Sequence, residues 1–201
     1  MRSEAGRRRT RNLRTLATLA AIFLLPLALA FFAYYATPWR PARHVNHGRL
    51  ISPPRALPRV SLRALVPGES AAATAPLRGS WSLVYLGDGA CDAACRQALA
   101  VMRQTRLALN TDMTRVTRVF LVTGAGCDCG FLSREHPGLA VLAAGEAPAQ
   151  ELLREFPADD RAHTLFVVDP LGNLMMSYDA RTDPHGLLED LKKLLRLSQI
   201  G

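Results

Sequence analysis

Two cysteines with three residues between them, Cys91 and Cys95, lie in the run Gly89-Ala90-Cys91-Asp92-Ala93-Ala94-Cys95. An apolar stretch, Trp81 to Leu86, leads in, and a helical pattern leads out. Thiols at a strand-to-helix turn make either a redox pair or half of a soft-metal site. The choice turns on a third ligand, and one candidate is His163, at the start of a later apolar strand. On a regular helix, residues four apart carry Cβ atoms about 5–6 Å apart, whereas a disulfide wants about 3.8 Å. The spacing therefore leans toward metal, and a disulfide would need Cys91 off the helix proper. A helix N-terminus lowers a thiol's pKa, which favours ligation and redox attack alike.

A second pair, Cys127-Asp128-Cys129, follows the second predicted strand. In a parallel sheet, loops after successive strands leave at the same edge, so both pairs are expected there. The second pair reads as a resolving dithiol or accessory ligands, or else as a local disulfide or incidental loop cysteines. Of the other histidines, His44 and His47 read as solvated, and His136 and His185 as surface residues. Met175 and Met176 are neighbours in a strand and point to opposite faces, so at least one fills core. Arg96 lies about 100° around the helix from the face shared by Cys91 and Cys95, and no peroxidatic motif forms with it.

These groups need a scaffold. Trp81 to Leu86 reads as a buried strand flanked by Gly79 and Gly87-Asp88-Gly89. Ala93 to Leu109 reads as a helix, Arg118 to Thr123 as a second strand, Gly138 to Ala143 as a weaker third, and Ala149 to Phe156 as a short helix. Thr164 to Val168 and Leu174 to Tyr178 form a hairpin around Asp169-Pro170-Leu171-Gly172-Asn173. Asp183 can cap a last helix that begins at Pro184 and carries the stripe Leu187, Leu188, Leu191, Leu194, Leu195. This order describes an α/β domain, with boundaries at residues 77–201.

The remainder reads as membrane attachment. Residues 1–14 hold six arginines and one glutamate and form a basic tail. Residues 15–36 carry no charge and are long enough to span a bilayer, which takes about 20 apolar residues. The arginines precede the span, so the tail is expected in the cytoplasm and the domain in the periplasm, on a single-pass inner-membrane anchor. Phe31, Phe32, Tyr34, Tyr35 and Trp39 suit an interfacial belt. A cleaved signal peptide is the other reading, given Ala28-Leu29-Ala30. Residues 37–76 are rich in proline and arginine and read as an extended tether, with a short strand possible at Arg49-Leu50-Ile51. The net charge of +8 resides in the flanks. Residues 64–201 hold 13 basic and 16 acidic side chains, which excludes a nucleic-acid partner.

With these parts in place, the chain resembles the Sco family, the membrane-anchored, thioredoxin-like proteins of cytochrome c oxidase assembly. The resemblance rests on the anchor, on the Trp81-Ser82-Leu83-Val84-Tyr85-Leu86-Gly87 strand running into Cys91 and Cys95, on His163 opening the strand before Asp169-Pro170, and on the closing helix. It covers residues 47–197. It implies one copper ion, Cu(I) or Cu(II), held by Cys91, Cys95 and His163 and passed to an oxidase subunit or another copper-site apoprotein. Two departures mark a divergent member. Arg96 follows Cys95 where the family usually has proline, and Gly124-Ala125-Gly126-Cys127-Asp128-Cys129 replaces an acidic, proline-containing segment. Two other functions fit the same residues: a thiol–disulfide oxidoreductase with Cys91 and Cys95 as its catalytic pair, acting on a metal-site or cytochrome apoprotein, and a tethered scaffold whose cysteines only cross-link.

Overall fold

The computed structural model describes residues 3–36, 46–66, 77–182, 184–198 and 200. The chain divides into two compact units, residues 1–44 and 45–201. In the first, helix α1 (Ser3–Ala36) runs through Pro26 without a break. Its segment Leu13–Ala36 is 24 residues long and apolar enough to cross a membrane. Its leucines and aromatics are exposed around the whole helix, as a lipid-facing surface requires.

The second unit is a six-stranded sheet with helices on both faces. Its strands are β1 (Arg49–Ala56), β2 (Trp81–Gly89), β3 (Val116–Cys127), β4 (Leu139–Ala143), β5 (Thr164–Val168) and β6 (Asn173–Asp179), in the order β1-β6-β5-β2-β3-β4. β2, β3 and β4 are parallel, whereas β5, β6 and β1 join antiparallel. The helices are α2 (Ala93–Ala108), α3 (Cys129–Glu135), α4 (Ala147–Glu155) and α5 (Pro184–Leu197). Alternate residues of each strand feed opposite cores. Leu83, Tyr85, Phe120 and Val167 pack with Leu99 and Met102 of α2 and Leu187 and Leu191 of α5. Val84, Leu86, Leu121 and Phe166 pack with Leu152 of α4 and Phe156. Covering on both faces explains why β2 reads as a continuous apolar run.

The expected hairpin is present. Asp169 accepts bonds from the backbone of Leu171 and Asn173 and from the Asn173 amide, and Gly172 takes the left-handed φ of 86° that suits glycine.

Residues 46–66 correct the expectation of a tether there, and the short strand expected at Arg49-Leu50-Ile51 is the start of β1. β1 adds to the sheet edge beside β6, and its prolines are tolerated because an edge strand leaves donors unpaired. Leu57 and Leu62 are buried in the second core. Leu65 N donates to Val141 O at 2.8 Å, and Ala143 N to Arg63 O at 2.8 Å. The folded unit thus begins well before residue 77. Residues 37–45 and 67–76, with Trp39 and His44, and the expected cap Asp183 lie outside the described residues.

One polar clasp closes the unit. The buried Asp190 carboxylate of α5 accepts from His47 N (2.7 Å), Gly48 N (3.1 Å) and the Tyr178 hydroxyl. Burial pushes the Asp190 pKa up, but these bonds outweigh it and hold the carboxyl below its ordinary value. His47 is exposed, as expected, and its ring lies 3.5 Å from both Glu189 and Asp190.

Candidate functional site

All four cysteines and His163 belong to one edge of the sheet, where β2 and β3 end and β5 begins. β2 runs out through Asp88, whose carbonyl accepts from Cys91 N (3.1 Å) and whose carboxylate accepts from Ala90 N (2.8 Å). Asp92 then caps α2, its carboxylate accepting from Cys95 N at 2.9 Å. Cys91 therefore precedes the helix and takes the left-handed φ of 50°. This is the condition under which a disulfide becomes possible, and the structure joins Cys91 to Cys95 with Cα atoms 5.0 Å apart. The lean toward metal from regular helical spacing is corrected for this state: it assumed helical geometry at Cys91. Both cysteines are almost fully enclosed, at 1 % and 2 % exposure.

Cys127 and Cys129 straddle the end of β3 and the start of α3, and they too are joined. Their loop lies directly beside the first. Gly89 and Cys127 are partners in the parallel register, and Asp128 N donates to Gly89 O at 2.8 Å. The approach requires glycine, because a Cβ at Gly89 would stand 2.1 Å from Gly126 O and 3.0 Å from Cys127 Cα. β3 runs past Thr123, where the sequence predicts its end, and α3 has no counterpart among the predicted helices. The first was hidden by Gly124-Ala125-Gly126, and the second by its length of seven residues.

Arg96 was set aside in the sequence, yet it bridges the two loops. Its Nε donates to Cys91 O at 3.1 Å, and its guanidinium lies 4.7 Å over the Phe131 ring of α3. His136, expected at the surface, is buried with its ring 5.7 Å from that of Phe131. Burial first, then the Arg118 charge, pushes its pKa down.

His163 closes a 3-10 turn, Arg161–His163, that packs against α2 and β2. The Tyr85 hydroxyl of β2 donates to Ala162 O at 3.0 Å, and Ala180 N donates to His163 O at 2.7 Å. Burial, with the Asp92 charge adding, pushes Tyr85 up to about 12, so it remains a donor. The His163 Nδ1 lies 2.8 Å from an Asp160 carboxylate oxygen, and Arg181 binds the other oxygen at 2.6 Å. The His163 bond, ahead of the Arg181 charge, holds Asp160 below the usual carboxylate range. Among the described residues, no three His, Cys, Asp or Glu side chains converge closely enough to hold a metal ion. The cysteines are paired with each other, and a disulfide offers no thiolate.

Residues 81–198 match the family model for the transmembrane-like, thioredoxin-like, C-terminal domain. The chain belongs to that family. Its thioredoxin-like fold is shared by solved structures of low sequence identity. Apo Sco1 from Thermus thermophilus is 18% identical with a TM-score of 0.59, over 77% of this chain and 99% of that one. Copper-bound ScoI from Bradyrhizobium japonicum is 18% identical with a TM-score of 0.54, over 70% and 99%. Copper-bound yeast Sco1 is 15% identical with a TM-score of 0.54, over 61% and 82%. No curated protein matches the sequence. In this thioredoxin-like domain, the Cys91–Cys95 junction follows the first central strand.

Proposed function

We propose that this domain is a Sco-like metallochaperone of cytochrome c oxidase assembly. It is held at the periplasmic face of the inner membrane by α1, with the basic tail in the cytoplasm. Its reduced Cys91 and Cys95 thiolates, with the His163 imidazole, take up one copper ion as cargo and pass it to an oxidase subunit. The observation that carries this reading is the fastening of the His163 turn to the strand that delivers Cys91, through Tyr85 and Ala162. The donor set agrees: thiolate is soft and suits Cu(I), and imidazole suits either oxidation state. With Nδ1 bonded to Asp160, the ring's Nε2 is the nitrogen left for a metal, and a carboxylate behind a histidine ligand is the usual support. Thiolates must be free before copper enters, so the disulfide is the copper-free end of the cycle. The copper-bound Sco structures support the scaffold of this reading.

A second reading, thiol–disulfide exchange with cysteines of a metal-site or cytochrome apoprotein, is favoured by the closed Cys91–Cys95 bond. It needs no third ligand. Anaerobic Cu(I) titration of the reduced full chain in detergent micelles separates the two. One tightly held equivalent, lost in His163→Ala and retained in Cys127→Ser/Cys129→Ser, is the expected result. Weak binding, or binding indifferent to His163, rejects copper delivery and leaves exchange.

A further inference from the structure

Both readings require Cys91–Cys95 to be opened, and a large reductant meets an obstacle there. Thiol–disulfide exchange needs a thiolate to reach one sulfur of the bond, yet these sulfurs belong to residues only 1 % and 2 % exposed. Cys127 and Cys129 are half-buried, one shell further out. Cys127 packs against the cluster that contains both Cys91 and Cys95. The two loops share a backbone bond, Asp128 N to Gly89 O, and an approach that only a glycine permits. Arg96 carries a cation to the same junction, between Cys91 O and Phe131. A positive neighbour favours the thiolate form.

We propose that Cys127 and Cys129 are a relay pair that passes electrons from a protein dithiol donor to the buried Cys91–Cys95 disulfide. This rests on the reading that reduced Cys91 and Cys95 are the working form. A donor thiolate attacks Cys129, breaking the Cys127–Cys129 bond and freeing Cys127 as a thiolate. The donor's second thiol attacks the mixed disulfide, which leaves the donor oxidised and Cys127 and Cys129 as a dithiol. The Cys127 thiolate then attacks Cys91, breaking the Cys91–Cys95 bond and freeing Cys95, which takes up a proton. Cys129 attacks Cys127 in the bridge, freeing Cys91. Cys127–Cys129 is restored, Cys91 and Cys95 have gained two electrons and two protons, and the donor has lost the same number.

Two experiments on the full chain in detergent micelles test the relay. In Cys95→Ser/Cys129→Ser, the remaining Cys91 and Cys127 are expected to close into one intramolecular disulfide under mild oxidation, read by peptide mass spectrometry. Thiols that stay free, or that pair only between molecules, overturn the relay. In the second, reduced thioredoxin serves as the protein dithiol and a small phosphine as the control, and Cys91/Cys95 thiols are counted by alkylation. Cys127→Ser/Cys129→Ser is expected to slow reduction by thioredoxin about tenfold or more while the phosphine rate changes less than about threefold. Equal or faster reduction by thioredoxin overturns the relay. If wild type opened by phosphine binds copper through His163 while thioredoxin reduces wild type and variant alike, the relay alone falls. A Cys91–Cys95 bond that the phosphine cannot open defeats both the relay and the function proposed above.

Discussion

The two cysteine loops solve one problem by different means. The Cys91 loop places three residues between its cysteines and combines a left-handed turn, a helix cap and a buried bond. The Cys127 loop closes over a single aspartate and stays half-exposed. Their chain-entropy contributions differ little, about 2 kcal/mol for the first ring and about 1.5 kcal/mol for the second. Burial is what separates them, and burial decides which bond a partner can reach. Spacing alone assigns neither role.

The largest expected effect breaks the comparison outright. Cys91→Ala/Cys95→Ala is expected to abolish copper retention, whereas Cys127→Ala/Cys129→Ala spares it, as measured by anaerobic titration. Since ring closure accounts for a difference of only about 0.5 kcal/mol, a larger additional loss in urea stability for the first variant measures burial.

Next comes the contact between the loops. Gly89→Ala drives a methyl into Gly126 O and is expected to cost about 2–3 kcal/mol. Gly126→Ala meets nothing within 4 Å and should stay within about 0.5 kcal/mol. Equal costs in chemical denaturation would mean the loops are not in the contact described. A smaller effect is expected for Arg96→Ala, which removes one bond to Cys91 O and the stack on Phe131. A loss of about 1 kcal/mol is expected, with slower alkylation of Cys91 once reduced, because the cation that favours its thiolate is gone.

The smallest effect leaves both cysteine loops untouched and probes the His163 corner. Arg181 holds Asp179 down to about 2, chiefly through their side-chain bond. A carboxylate depressed on folding adds stability that is present above its unfolded value, near 4, and is lost as pH falls through the folded one. The window is therefore about pH 4 to 2. Arg181→Ala should return the Asp179 pKa toward about 4, read by NMR titration, and narrow the difference in thermal midpoint between about pH 6 and about pH 3. Exposure of the pair keeps this small.

Most of the sheet was legible because its signals are local. β5 was placed at Thr164–Val168 from its apolar run, and its hairpin from Asp169-Pro170-Leu171-Gly172-Asn173. The shared edge for both cysteine pairs followed from parallel topology, and Gly89 opposite Cys127 bears it out. What failed was context. Prolines at 53 and 54 looked like tether because the sequence does not reveal that β6 offers them an edge. The Cys91–Cys95 bond looked unfavourable because a left-handed cysteine has no signature in composition. His136 looked superficial because its burial depends on the unforeseen α3.

The Asp190 clasp gives the molecule a load path. A pull on the chain ahead of the domain arrives at His47 and Gly48, and there it meets the last helix through Asp190 and the sheet through Tyr178. A pull is thus shared with the core before it can peel the edge strand β1, residue by residue, away from β6. The leading end of the domain is fastened by a rivet rather than by a zipper.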